Sequence, residues 1–252
     1  MKNLARLVRN ALFPNDSRRL QSLMILKNYV IPEYRLVWPQ MDWWHHAKFN
    51  HFLEKFGELP DGMNTQRRWM LVQLLRLTAG VPGDTAECGV YKGAGSWLIC
   101  DFKKSNGIKG THFLFDSFAG LSRPSSADGG FWAEGDLRVT EDEVVKNLGQ
   151  FRDLVDVKKG WIPDRFKEVA ENRFSFVHVD VDLEEPTRHS LEFFYERLNE
   201  GGVFVCDDYG FTTCPGVTRA INDFLSDKPE SMIQLDSGGG FFIKGKKTFS
   251  AF

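Results

Sequence analysis

The chain has 252 residues, with 32 Lys+Arg against 34 Asp+Glu and a formal net charge of −2; 42% of its residues are hydrophobic and 26% charged. These proportions belong to a globular protein with a sizeable core and exclude a disordered or collagen-like chain. A charge so close to neutral gives no electrostatic basis for binding nucleic acid.

Phe is abundant, at 22 residues against 7 Trp and 5 Tyr. Such an excess fits a rich core, an apolar cleft or a membrane-facing edge. Residues 1–64 read as an N-terminal helical and aromatic extension, a lid or an oligomer contact, and residues 65–252 as the main domain. Met1–Phe13 is basic and amphipathic, with Leu4, Leu7, Val8, Ala11 and Leu12 at helical spacing. It lacks the continuous apolar core of a signal peptide, so it reads as a surface helix, with a membrane-surface helix as the alternative. Pro32, Trp38, Pro39, Trp43, Trp44, Phe49, Phe52 and Phe56 follow without a core pattern.

The character changes after Pro60-Asp61-Gly62. Thr65 is expected to cap a helix carrying Trp69, Met70, Val72, Leu74, Leu75 and Leu77, ending near Gly80. Strands are expected at 85–90, 112–116, 155–159, 174–182 and 202–207. Helices are expected at 95–104, 140–151, 164–172, 186–198 and 215–226, the second opened by a Thr140/Glu143 capping box. Two final runs, 232–235 and 240–244, flank Asp236-Ser237-Gly238, a hairpin signal expected to add one antiparallel edge strand. Alternating strands and helices imply an α/β fold, a doubly wound, mostly parallel sheet covered on both faces. Cys88, Cys100, Cys206 and Cys214 form no C-x-x-C pair and read as buried thiols of a reducing, cytoplasmic compartment. No stretch of 18 uncharged apolar residues exists to span a bilayer.

In such sheets ligands bind beyond the carboxyl ends of the strands. There the sequence places Glu87, Asp116, Asp180 with Asp182, and the pair Asp207-Asp208, acids at the ends of the first, second, fourth and fifth expected strands. Clustered carboxylates repel, so their convergence calls for a cation. Asp180, Asp207 and Asp208 are hard oxygen ligands suited to Mg²⁺, and Asp182 is either a further ligand or a general base, on the face of Asp180 if the strand continues. Gly89, Gly93 and Gly95 form a strand-to-helix loop spaced G-x-x-x-G-x-G, which is neither a dinucleotide nor a P-loop pattern; it is either a ligand-cradling loop or a plain tight turn. Asp116, 27 residues beyond Gly89, suits a ribose diol or a turn cap. Trp161 and Phe118 are positioned to sandwich a purine or to join the core. His178, inside the apolar run 174–179, reads as a core histidine or as a support for the acids.

Taken together, Pro82–Ser96, Asp116–Leu121, Lys159–Asp164, His178–Arg188 and Gly201–Gly210 resemble the TylF/MycF-like (macrocin O-methyltransferase) family in order and spacing over residues 65–245. The pairing of Asp-x-Asp-Leu with Gly-Gly-(apolar)-Asp-Asp-Tyr-Gly is the specific part. The resemblance implies a seven-stranded class I methyltransferase fold, S-adenosylmethionine (SAM) as donor and a divalent metal, usually Mg²⁺. By position it puts Glu87, Gly89 and Tyr91 against the methionine end of SAM, with Gly93, Ser96, Ser117 and Trp161 among its contacts and Asp116 on the ribose. It makes Asp180, Asp207 and Asp208 the metal ligands and Asp182 the general base. The implied acceptor is a hydroxyl of a small molecule or glycan, on a sugar or a catechol-like phenol. A non-catalytic nucleotide-binding scaffold is the competing class. Glu184-Glu185 departs from many relatives, and family members self-associate.

Overall fold

The computed structural model describes residues 2–12, 22, 25–26, 42–58 and 64–249. Pro32, Trp38, Pro39 and Pro60-Asp61-Gly62 of the expected extension lie outside them. The chain divides into two compact units, Met1–Met63 and Asn64–Phe252.

In the first unit, α1 spans Lys2–Leu12 and leaves Leu4, Val8 and Leu12 exposed. Helix α2, Ala47–Phe56, is capped by His46, whose Nδ1 accepts from the Phe49 amide, and stops at Gly57 in a left-handed conformation. Its inward stripe gives the aromatics a pattern: Phe49 stacks on Phe52 at 5.8 Å and meets Trp43 edge-on at 5.9 Å.

The second unit is built on a seven-stranded sheet, counted among the described residues, ordered β3-β2-β1-β4-β5-β7-β6. The strands are β1 Asp84–Cys88, β2 His112–Asp116, β3 Val155–Lys159, β4 Phe174–Val179, β5 Leu198–Cys206, β6 Ile233–Gln234 and β7 Gly240–Ile243. Strand β4 reads Phe-Ser-Phe-Val-His-Val and is buried along its whole length, as a central parallel strand covered on both faces must be. The helices are α3 Thr65–Leu75, α4 Ala94–Ser105, α5 Glu141–Asn147, α6 Glu184–Tyr195 and α7 Pro215–Leu225. Helix α3 packs on α4, and α6 on α7.

The structure adjusts four sequence expectations. The antiparallel strand is β7, which lies between β5 and β6 rather than at the edge. Thr65 is buried inside the first turn of α3; Asn64 stands at the cap position, and its side chain makes no capping bond. Residues 164–172 hold only a 3₁₀ turn, Phe166–Val169. Strand β4 stops at Val179 instead of running to Asp182, because Asp182 takes a left-handed φ of 60°.

Register is what aligns the carboxyl edge. Cys88 pairs with Val179 and Val179 with Cys206. The next residues continue the ladder: Asp180 N donates to Cys88 O and Asp207 N to Val179 O, both at 2.8 Å. Gly89, Asp180 and Asp207 therefore leave three adjacent strands side by side. The chain turns back at this point, between β1 and β4, which makes it the topological switch point.

Much of the Phe excess is core. Phe174 meets Phe194 at 4.9 Å, Phe115 meets Phe166 at 5.1 Å, and Phe115 meets Phe194 at 6.0 Å, all edge-to-face. Phe194 contributes to most of these pairs and is fully buried. Phe194→Ala is expected to cost about 3–5 kcal/mol in urea unfolding, because it removes a large ring from a close-packed site.

Candidate active site

The loop after β1 is shaped by close approach. Gly89 has φ 78°, and a Cβ there would overlap the Asp180 carbonyl oxygen. A Cβ on Gly95 would overlap the Glu87 carboxylate, so glycine lets the start of α4 sit directly on that side chain. Gly93 (φ 85°) and Tyr91 (φ 46°) also adopt left-handed backbone, and the Tyr91 side chain is exposed. Asp116 organises the loop from β2. Its Oδ2 accepts from the amides of Val90 (2.8 Å) and Tyr91 (3.1 Å), and its Oδ1 from Phe118 N at 2.7 Å. Ser117 Oγ bridges Ala119 N and Gly120 O, each at 3.0 Å. Trp161 is exposed just beyond β3, where Gly160 N donates to Asp116 O. Phe118, by contrast, is buried.

Glu87 and Ser96, expected against the cofactor, point inward. Glu87 is buried; its Oε2 accepts from Ser96 Oγ and its Oε1 pairs with His178 Nδ1 at 2.8 Å. The network continues from Ser96 to His112 (3.0 Å), Thr85 (2.9 Å) and the buried Lys103 (3.4 Å). Burial holds the His112 pKa down at about 3, so it is neutral. Burial would also lower His178, but the carboxylates of Asp207 and Glu87 override it and push its pKa up to about 10. His178 is therefore an imidazolium between two acids: its Nε2 stands 3.7 Å from Asp207 Oδ1, an ion-pair rather than a hydrogen-bond distance.

The acids at the ends of β4 and β5 fall into two groups. His178, Asp180 and Asp207 bring one donor atom each within 4.8 Å of one another, as do Asp182, Asp208 and Cys214. The expected trio of Asp180, Asp207 and Asp208 is thus split between them. Asp208 turns away because its Oδ2 accepts from the amides of Val181 (3.1 Å) and Asp182 (2.8 Å). Those bonds hold the left-handed turn at Asp182 and aim its carboxylate toward Cys214, whose Sγ lies 4.0 Å from Oδ1. Trp132 Nε1 in turn donates to that sulfur at 3.4 Å.

Two residues absent from the sequence expectations complete the site. Arg67 pairs with Asp207 Oδ2, and Arg68 Nη1 lies 3.9 Å from Asp180 Oδ2. Charge then sorts the acids. Burial would raise the Asp207 pKa, but Arg67 and His178 hold it well below the carboxylate range. Burial and then Asp207 push Asp180 up to about 6; burial and then Asp180 push Asp182 up to about 8. Burial and then Asp182 raise Asp208 well above its ordinary value. Three carboxylates of four are short of positive charge.

Strand order, an antiparallel β7 and a glycine loop at the switch point define the architecture of class I SAM-dependent methyltransferases. The macrocin O-methyltransferase (TylF) family model matches residues 66–244, and the chain belongs to that family. It is 26% identical over 178 residues to demethyldecarbamoylnovobiocin O-methyltransferase of Streptomyces niveus, covering 64% of this chain and 66% of that protein. It is 30% identical over 159 residues to the 8-demethyl-8-(2,3-dimethoxy-alpha-L-rhamnosyl)-tetracenomycin-C 4'-O-methyltransferase of Streptomyces olivaceus, covering 59% and 60%. Each match spans a little under two thirds of the relative's length. Among solved structures, the O-methyltransferase NovP superposes with a TM-score of 0.61 at 24% identity, covering 75% of this chain and 82% of that one.

The geometry of Gly89 is directly testable. Gly89→Ala is expected to lose at least about 2 kcal/mol in denaturant unfolding, since the left-handed penalty adds to the overlap with Asp180. Gly107→Ala, at a left-handed glycine with open space around it, is expected to lose only the conformational part.

Proposed function

We propose that the chain is a metal-dependent O-methyltransferase that moves a methyl group from SAM to a hydroxyl, on a sugar of a glycosylated metabolite or glycan. The observation that carries this reading is the convergence of Asp180, Asp182, Asp207 and Asp208 beside the glycine loop in a member of this family. Both relatives described above are named for O-methylation of natural products, and one of those products bears a rhamnosyl group. We assign the chemistry to residues 65–252 and treat residues 1–64 as an extension with a separate role, as a lid or an oligomer contact. The free, buried state of all four cysteines supports a reducing, cytoplasmic setting.

The donor set fits a small hard dication. It consists of carboxylate oxygens, and burial leaves Asp180, Asp182 and Asp208 wanting positive charge. Asp180 and Asp207 would hold the cation, joined by Asp208 through the oxygen not spent on the turn. When bound, SAM supplies an electrophilic methyl group and the cation supplies Lewis acidity that eases ionisation of the acceptor hydroxyl.

The remaining work falls to the chain. Gly89, Tyr91 and Gly93 bring backbone close to the methionine end of the donor, with Ser117 and Trp161 flanking its nucleoside. Asp116 spends three acceptor positions on loop amides and keeps a lone pair for the ribose. Asp182 accepts the acceptor's proton on its carboxylate, aimed by Asp208 and Cys214. Glu87 and Ser96 support the loop from beneath through His178.

Mass spectrometry of glycosylated and phenolic metabolites for a gain of one CH₂ tests the acceptor class; methylation confined to phenols would overturn the sugar assignment. Asp182→Asn is expected to lower kcat by about 10²–10⁴-fold with SAM affinity unchanged by calorimetry. Asp207→Ala is expected to abolish turnover while SAM still binds. Undiminished wild-type activity after exhaustive chelation would sink the metal requirement.

A further inference from the structure

Arginine is an odd choice for the start of α3. Arg67 and Arg68 both stand in its first turn, which contains no acidic residue. The exposed amides of a helix N-terminus repel cations there. Asn64, at the cap position, does not cap; its Oδ1 accepts from Arg67 Nη2 at 2.5 Å. The local sequence therefore works against the helix, and what it gains lies elsewhere.

What it gains is contact with the acid cluster. Arg67 Nη1 pairs with Asp207 Oδ2 and donates to the Asp207 carbonyl oxygen at 3.2 Å, while its guanidinium lies 5.1 Å from the Phe211 ring centroid. Arg68 reaches Asp180 more loosely, at 3.9 Å. Both side chains are largely buried, 17% and 11% exposed, so their charges act in a medium that screens weakly. The carboxylates they address are the two that converge with His178.

We infer that Arg67 and Arg68 are built-in counter-ions of this cluster, which hold Asp207 and Asp180 in competition with a divalent cation and so set that cation's affinity. The inference rests on the metal-dependent reading above and assigns these two arginines a part in it. An Asp207 oxygen that accepts from Arg67 is not free to ligate, and a guanidinium beside the cation's position repels it. Without the cation, the same two charges keep the carboxylates from forcing the strand ends apart.

Calorimetric titration of the full chain with MgCl₂, in the presence of SAM, tests this together with thermal melts in EDTA and in Mg²⁺. Arg67→Gln and Arg68→Gln are each expected to bind Mg²⁺ roughly tenfold more tightly or better, by removing one nearby positive charge. They are expected to melt lower than wild type in EDTA and to gain more from Mg²⁺. Arg67→Lys, which keeps the charge, is expected to stay near the wild-type affinity. A purely structural role would lower the melting temperature without tightening Mg²⁺. Should Arg67→Gln not fold, Arg68→Gln, with its looser contact, carries the comparison. Variants that bind Mg²⁺ as wild type does, or more weakly, overturn the inference and leave the metal-dependent reading standing. Mg²⁺ binding by neither wild type nor variants overturns that reading and the inference with it. Binding by the variants alone supports the inference.

Discussion

Negative charge that cannot disperse governs the carboxyl edge of this sheet. Two adjacent parallel strands, β4 and β5, each end in a pair of acids, and the ladder holds their first members level with each other. Repulsion among groups fixed in this way is relieved by protonation or by bringing cations or N–H donors to them. The surrounding elements do so from several directions. Helix α3 delivers two guanidiniums, β4 delivers an imidazolium from below, and the backbone of the β4–α6 turn offers two amides to Asp208. The left-handed turn at Asp182 and the early end of β4 follow from that last arrangement.

The glycine loop meets the same edge through steric fit. Gly89 lies against the Asp180 carbonyl and Gly95 against the Glu87 carboxylate, so the glycine loop and the acid cluster share a wall. Glu87 links the two as well, since the His178 it binds also faces Asp207.

Sheet and helix order were legible because buried parallel strands are apolar runs and the connecting helices carry their own stops. Strands β2 and β3 match their expected bounds residue for residue. The acids were legible too, as strand-terminal residues. What periodicity could not show was partnership across the chain. Asp208 serves a turn 26 residues earlier, and that bond fixes the left-handed turn after β4 and commits one Asp208 oxygen to backbone amides. Arg67 and Arg68 precede the acids by more than a hundred positions. The local signal for them was two arginines in a helix's first turn without an acid beside them, a placement that helix electrostatics disfavours. Glu87 was legible by position but its partners were not, because Ser96 and His178 come from a helix and a strand that only the folded sheet brings together.

The insertion of β7 between β5 and β6 bears on the order in which the molecule can be completed during synthesis. Strand β5, which ends in Cys206 and leads into Asp207, has β4 on one side and β7 on the other, and β7 is drawn from Gly240–Ile243. Until those residues emerge from the ribosome, one flank of β5 is an unpaired edge of apolar residues, open to pairing with another chain. Residues 238–240 then close over the end of β5, with Gly239 against the carbonyls of Cys206 and Asp207. The acid-bearing strand is thus sealed by residues translated well after it, and a nascent chain stalled short of them carries that edge uncovered.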